Sequence, residues 1–171
     1  TKGHLSISNI YNYSDLKEKE IIEAIASIEN HSEHPIAKGI VKYAEERNIP
    51  MDSKKVTDFK NISGYGIQAK YHGADYLIGN KKLMLENNIQ IDKIIKEEGM
   101  NDDEILEHDG NSLLFIAKEN VLIALIGVKD IIRENAKELI DKLKQQNILT
   151  VMLTGDNEKT AKAIGETIGI E

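Results

Sequence analysis

The apolar and polar positions at the start of the chain change from an alternating to a helical pattern. Residues 4–10 alternate polar and apolar side chains, which predicts a half-buried strand. In residues 16–28 and 36–44 the apolar side chains instead recur at the spacing of one face of an amphipathic helix. Pro35 separates these two runs and is tolerated at the first position of a helix. The pattern therefore predicts a strand and then two helices that meet at a corner around residues 31–35.

Short apolar runs in the middle of the chain predict five more strands and two short helices. Glycine-containing turns separate the first three strands, as in an antiparallel meander. The last two are joined by a Glu119-Asn120 turn, as in a hairpin. The predicted strands span residues 56–62, 67–71, 74–78, 112–117 and 121–128, and the predicted helices span residues 81–87 and 91–97. With the first strand, these runs predict an antiparallel sheet of six strands.

The order of elements changes at about Gly127. From there the periodicity predicts a helix that includes Ile132 and Leu143, a buried strand at residues 149–153 and a second helix that ends at Ile168. A helix, a strand and a helix in this order are typical of a parallel sheet. The predicted fold class is therefore α+β: a six-stranded antiparallel sheet flanked by helices, followed by a partial Rossmann-like α/β segment.

Composition and charge exclude several classes of protein. The 171 residues include 29 acidic and 22 basic side chains, for a net charge of −7, which argues against a nucleic-acid partner because phosphate binding needs a dense Lys/Arg patch. The chain has no cysteine, so we expect no disulfide framework, no thiolate zinc site and a reducing compartment such as the cytoplasm. The longest apolar run, Val121–Val128, is less than half of the ~20 residues that span a bilayer, so we expect no membrane insertion.

Two acids and two histidines cluster at the predicted helix corner. His31 and His34 are close enough along a helix for both to face one metal ion, with Glu33 or Glu29 nearby. The alternative is a polar helix terminus whose side chains satisfy open backbone groups. The residues alone leave both interpretations open, and the sequence contains no further ligand cluster.

Three turns carry residues suited to a ligand. Gly64 and Gly66 lie between two strands, where glycine permits a positive φ and lets a ligand approach the backbone, although a simple bulge fits the same pattern. Gly79-Asn80 ends a strand and opens a helix, as in N-capping. Thr154-Gly155-Asp156 follows the predicted parallel strand, where α/β sheets bind ligands. This turn could serve a phosphate and its Mg²⁺, or Asp156 could simply cap the next helix.

These elements, in this order, resemble one protein family. The chain resembles the nucleotide-binding domain of the heavy-metal-transporting P-type ATPases, of the copper type, with part of the phosphorylation domain attached. The resemblance extends over essentially the whole chain. It rests on the motifs Ser32-Glu33-His34-Pro35, Gly64-x-Gly66, Ile78-Gly79-Asn80, Asp130-x-x-Arg133 and Thr154-Gly155-Asp156-Asn157.

The resemblance implies a domain division and a role for each motif. Residues 1–4 would form the edge of the phosphorylation domain and a hinge, residues 5–126 the nucleotide-binding domain, and residues 127–171 part of a haloacid-dehalogenase-like phosphorylation domain. The residues that would bind ATP are Glu29 and His34 at the adenine end, Gly64 and Gly66 as the backbone floor, and Gly79 and Asn80. The residues that would face the phosphoryl group and its Mg²⁺ are Thr154, Gly155 and Asp156, with Asp156 in a supporting catalytic role. Asp130 and Arg133 would mark the hinge.

The chain departs from the family pattern at two places. Thr1-Lys2-Gly3 resembles the residues just after the aspartate that accepts the γ-phosphoryl group in the family, and that aspartate is not part of this sequence. Ala69 stands where copper-transporting members often carry a cysteine. We therefore expect a cytoplasmic fragment of a plasma-membrane pump that binds ATP without turning it over, while the parent pump exports a heavy-metal ion by phosphorylation of that aspartate.

The expected partners are ATP or ADP and the remaining phosphorylation, actuator and transmembrane domains of the pump. Copper or silver is the preferred ion, and zinc, cadmium or lead is the second choice. The chain contains no ion-coordinating residue that would distinguish these ions. A non-catalytic regulatory module that senses metal through His31 and His34 is the alternative from another class of function.

Overall fold

Six strands and six helices are formed by the residues that the computed structural model describes, which are residues 5–92, 101–130, 135–153 and 158–170. The strands are β1 (Leu5–Asn12), β2 (Val56–Ile62), β3 (Gly66–Tyr71), β4 (Ala74–Gly79), β5 (Ser112–Lys118) and β6 (Val121–Asp130). The helices are α1 (Glu18–Glu29), α2 (Pro35–Glu46), α3 (Lys81–Glu86), α4 (Asp102–His108), α5 (Ala136–Gln145) and α6 (Glu158–Ile168).

The six strands form one antiparallel sheet in the order β1-β6-β5-β4-β3-β2. The predicted meander is β2-β3-β4, and the predicted hairpin is β5-β6. The first strand lies at the far edge beside the last one, with Leu5 opposite Asp130 and Asn12 opposite Ala124. The prediction of a six-stranded antiparallel sheet is thereby confirmed.

The sheet is buried on both faces, because helices cover each side of its central strands. Along β5, Leu114 and Ile116 join the core beneath α1 and α2, whereas Phe115 and Ala117 join a second core beside α3 and α4. Burial on both faces removes the polar positions that alternate along a half-exposed strand. This explains why the predicted strands at residues 112–117 and 121–128 are almost continuously apolar.

The corner between α1 and α2 forms as predicted. The first helix ends at Glu29, and Pro35 occupies the first turn of the second, with His34 as its N-cap. The loop after α2 is fastened beneath this corner, because the side chain of Asn30 donates a hydrogen bond to Ser53 Oγ at 2.9 Å. The corner is therefore held by the cap at the start of α2 and by the hydrogen bond from Asn30 to the loop after α2.

One helix was missed at the level of sequence. The α4 helix has only Ile105 and Leu106 as aliphatic residues, too few to show a helical period. Its start carries a capping box in which the backbone N–H of Asn101 donates to Glu104 Oε2 at 2.9 Å. That pair of residue types, at that spacing, is the signal that could have identified the helix.

The predicted buried strand at residues 149–153 is wrong. These residues form neither strand nor helix, and Leu149, Val151 and Leu153 are 88%, 79% and 99% exposed. A strand needs a neighbour for its N–H and C=O groups, and in the described part of the chain no strand lies beside this segment. Two helices of the partial α/β segment are present as predicted, namely α5 and α6.

Of the two short helices predicted after the meander, only the first is fully described. The helix predicted at residues 81–87 is confirmed as α3, whereas most of the helix predicted at residues 91–97 lies outside the described residues. Among the helices that are described, none is long and apolar enough to cross a lipid bilayer.

Candidate functional site

Glu29 is a buried carboxylate at the end of α1. The residue is only 4% exposed, and among the described residues it has no hydrogen-bond donor or cation as a partner for its side chain. Burial raises the pKa of Glu29 from 4.5 to about 7, because removal from water disfavours the charged form. A carboxylate held in this way is a strong acceptor for any donor that a ligand brings.

His34 serves as the N-cap of α2 and lies at the opposite end of the corner from Glu29. The ring Nδ1 of His34 accepts a hydrogen bond from the backbone N–H of Ile36 at 3.2 Å. The backbone N–H of His34 donates to Ser32 Oγ, also at 3.2 Å. Because Nδ1 acts as the acceptor, the neutral ring carries its proton on Nε2. The exposed imidazole therefore combines a structural role with one N–H that can serve a ligand.

The two histidines of the corner have separate partners. His31 lies with Nε2 at 3.2 Å from the carbonyl oxygen of Ser53, and its ring centroid is 5.6 Å from that of Phe59. Within the described residues, no group of three or more His, Asp or Glu side chains is placed to hold a metal ion. The geometry thus gives no support to the metal-sensing alternative.

Gly66 and Gly79 lie opposite each other in the β3-β4 register. A Cβ atom on Gly66 would overlap the carbonyl oxygen of Ile78, and a Cβ on Gly79 would overlap that of Tyr65. These glycines are required because two backbone segments touch. Gly64 differs, since its φ is +76° and a Cβ there would meet nothing within 4 Å. Of the three, Gly64 is the one whose backbone a ligand can approach without obstruction.

Asn80 ties the glycine turn to the start of α3. Its Oδ1 accepts from the backbone N–H of Leu83, and its Nδ2 donates to the carbonyl oxygen of Gly64, both at 2.9 Å. The backbone N–H of Asn80 also donates to the carbonyl oxygen of Tyr65 at 2.9 Å. One side chain therefore caps a helix and fixes the glycine turn.

One cavity of about 280 Å³ brings all six predicted nucleotide-binding residues together. Its lining residues are Glu29, Ser32, His34, Ile36, Asn61, Ile62, Gly64, Tyr65, Gly66, Ile67, Ile78, Gly79, Asn80, Leu113 and Leu114. The walls are largely aliphatic, and in the described structure the lining contains one carboxylate and no Lys or Arg. An apolar slot with a few polar groups suits a flat heterocycle better than it suits a phosphate.

Sequence reasoning missed several residues of this cavity. Ser32 and Tyr65 lie inside motifs that were recognised, yet only the tertiary structure shows that they line the wall. The aliphatic members come from the start of α2, from β2, β3 and β4 and from the start of β5, where the sequence indicates core positions alone. The signal that could have found Tyr65 is its position between the two glycines of the turn.

The residues predicted for phosphoryl transfer are for the most part outside the described structure. Thr154, Gly155 and Asp156 lie there, as does Arg133 of the predicted hinge. Asp130 is the last residue of β6, and its backbone pairs with Leu5 at the start of β1. The geometry therefore defines a cavity lined by the six residues predicted to bind nucleotide, and the roles of all these residues stay predictions.

Comparison with known proteins identifies the class to which this fold belongs. The haloacid dehalogenase-like hydrolase family matches residues 1–171, so the chain belongs to that family. A copper-exporting P-type ATPase of Staphylococcus haemolyticus is 40% identical over 154 residues, which cover 90% of this chain and 18% of the relative. A cadmium-transporting ATPase of Staphylococcus aureus is 38% identical over 172 residues, covering 99% of this chain and 23% of the relative.

Solved structures of metal-transporting ATPases share the fold. A zinc-transporting PIB-type ATPase in the E2.Pi state matches with a TM-score of 0.80 and 25% identity, covering 100% of this chain and 26% of the other. The catalytic domain of the CPx-ATPase CopB-B matches with a TM-score of 0.65 and 24% identity, covering 100% and 56%. The resemblance seen in the sequence is confirmed at the level of the domain, and the chain spans about a fifth of the length of the curated relatives.

The burial of Glu29 makes the stability of the fold depend on pH. Its folded-state pKa lies above 4.5, so the folded chain keeps the proton over a range in which the unfolded chain has released it. The free energy of unfolding therefore falls as the pH rises from 4.5 to about 7, by on the order of 3 kcal/mol. We expect Glu29→Gln to remove this fall, so that the variant gains stability over the unchanged chain above pH 7 but not near pH 4.

Urea unfolding followed by circular dichroism across this pH range measures the effect. Glu45→Gln is the matched control, because Glu45 is an exposed helical glutamate and its variant should keep the pH dependence of the unchanged chain. If the Glu29→Gln variant is less stable than the unchanged chain by the same amount at every pH, the pH dependence of stability does not come from the ionisation of this carboxylate.

Proposed function

We propose that the cavity binds the adenine base of ATP, and that the chain is the nucleotide-binding part of a heavy-metal-transporting P-type ATPase together with part of its phosphorylation domain. The observation that carries the proposal is the convergence of Glu29, His34, the glycine turn and Asn80 on one apolar slot. These residues come from distant parts of the sequence. If these residues only packed the core, there would be no reason to bury the carboxylate of Glu29, which has no partner among the described residues.

The chemistry of the cavity fits adenine rather than guanine. The exocyclic amine of adenine is a donor for the carboxylate of Glu29, which receives no hydrogen bond from the part of the chain that the structure describes. Guanine presents a carbonyl oxygen at the corresponding position, so two acceptors would face each other. Gly64 leaves its backbone open to the flat face of the base, and the Nε2 proton of His34 supplies a second hydrogen bond.

The relatives support the role of the parent protein. They are named as copper-exporting and cadmium-transporting ATPases, and a structural neighbour is named as a zinc transporter. In the proposed reaction, the γ-phosphoryl group of ATP passes to an aspartate outside this chain, and Asp156 helps to hold Mg²⁺. A heavy-metal ion is the proposed cargo; copper stays the first choice and zinc, cadmium or lead the second, since identities of 40% and 38% do not separate them.

The pairing of β1 with β6 supports the proposed domain division. Because Leu5 is opposite Asp130, the chain enters and leaves the sheet at neighbouring positions on one edge. Two adjacent crossings at the ends of strands can act as a hinge to a second domain, because hinges are a few residues at the ends of elements. Residues 5–126 are then the nucleotide-binding domain and residues 127–171 part of the phosphorylation domain, on the cytoplasmic side of the membrane that holds the pump. The strand β6 continues past this boundary to Asp130, so the crossing itself lies at the end of β6.

Base selectivity is the first test of the proposal. At a pH above 7, where Glu29 is ionised, we expect ADP and ATP to bind with similar affinity and GTP to bind about tenfold more weakly or worse. Glu29→Gln should narrow this ratio, because its amide can donate to guanine as well as accept from adenine. Isothermal titration calorimetry with ADP, ATP and GTP measures the three affinities. Equal affinity for ATP and GTP in the unchanged chain would show that Glu29 does not select adenine.

His34 allows its ligand role to be separated from its structural one. Asparagine is a good N-cap but lacks the imidazole, so His34→Asn should keep the stability of α2 and still weaken ADP by about 1–2 kcal/mol. His34→Ala should show the same loss of affinity and, in addition, lose about 0.5–2 kcal/mol of stability. Calorimetry and urea unfolding on both variants decide the question. If His34→Asn binds ADP as tightly as the unchanged chain, His34 is a cap alone.

A further inference from the structure

Tyr65 places an aromatic ring at the wall of the cavity, between the two glycines of the turn. Its backbone is fixed on both sides, since its N–H donates to the carbonyl oxygen of Ile62 and its own carbonyl accepts from Asn80, both at 2.9 Å. The half-buried side chain packs against the second hydrophobic core and lines the cavity. The backbone that carries the ring is therefore held on both sides, and the ring lies against the cavity wall.

Lys82 lies over the ring of Tyr65. Its Nζ is 4.9 Å from the centroid of the Tyr65 ring, within the range of a cation–π interaction. The hydroxyl of Tyr65, followed by the carboxylate of Glu86, raises the pKa of Lys82. Both groups therefore favour the charged ammonium at this position. A cation–π contact restricts where the ammonium sits but leaves its N–H donors available to another partner.

Lys82 and its neighbour Lys81 differ in the burial of their ion-pair partners. Lys81 donates to Asp103 at 2.8 Å, and the side chain of Asp103 is only 7% exposed, so this pair is tied into the fold. Lys82 is 67% exposed, and its distance to Glu86 is 3.8 Å, the loose geometry of a surface ion pair. Lys82 can thus turn to an anion without breaking a buried contact.

We propose that Lys82, held over the ring of Tyr65, contacts the phosphates of the nucleotide whose base fills the cavity. This inference rests on the proposed function. The lining described for the cavity offers no Lys or Arg, and the chain carries a net charge of −7, so a polyphosphate that emerges from the slot needs a cation at its mouth. Lys82 lies beside Tyr65, a lining residue, and its long side chain can reach a phosphate that leaves the cavity on that side.

Adenosine and ADP separate a contact to the phosphates from a contact to the base. We expect Lys82→Gln to weaken ADP roughly threefold to fivefold, the scale of one exposed charge pair, and to leave adenosine unchanged. Added salt should reduce the difference between the two proteins for ADP. Lys82→Arg should restore most of the affinity, because it keeps the charge over the ring.

Lys42→Gln is the matched control. Lys42 is also an exposed helical lysine with an i,i+4 glutamate at 3.8 Å, but it does not line the cavity and has no contact with Tyr65, so its loss should change neither affinity. Calorimetry with the four proteins gives distinct outcomes. Equal effects of Lys82→Gln on adenosine and ADP, or no effect on either, would overturn the phosphate contact alone. If the unchanged chain binds neither ligand, the proposed function fails and this inference fails with it.

Discussion

The close approach of β3 to β4 at Gly66 and Gly79 is the constraint on which the cavity depends. Neither position has room for a Cβ, because each would run into a carbonyl oxygen of the facing segment. This contact brings the glycine turn against the start of α3, where Asn80 fastens it through both atoms of its amide. The floor of the slot is thus made of backbone that hydrogen bonds hold in place before any ligand arrives. Such preorganisation lowers the entropy that binding must overcome.

The opposite wall is built on a different principle. The α1-α2 corner presents Glu29, which is buried beside aliphatic side chains and has no partner in the described structure. Holding an ionised carboxylate there costs stability, and the raised pKa is the measure of that cost. A ligand that supplies a donor removes part of the cost, so the same group that destabilises the empty domain favours binding. Proteins commonly retain such unfavourable groups at functional sites.

Local patterns predicted most of the fold, because the elements that formed are those whose side-chain period matches the surfaces they bury. The six strands and the α1-α2 corner follow from alternation, continuous apolar runs and Pro35. Residues 149–153 show the limit of this reasoning, since an apolar run indicates burial but not whether a neighbouring strand is present to accept it. The α4 helix shows the opposite case, in which a capping box outweighs a short and mostly acidic sequence.

The candidate site was predictable only in part. The resemblance to a family selected six residues that the fold does bring to one cavity, but Tyr65 and Lys82 are defined by a contact across the turn that no spacing reveals. The most direct test of the account is the pKa of Glu29, followed through its side-chain carboxyl ¹³C resonance with and without ADP. A hydrogen bond from the adenine amine stabilises the ionised form, so ADP should move this pKa downward from about 7, while GDP should not. An unchanged or raised pKa in the ADP complex would contradict recognition of adenine by this carboxylate.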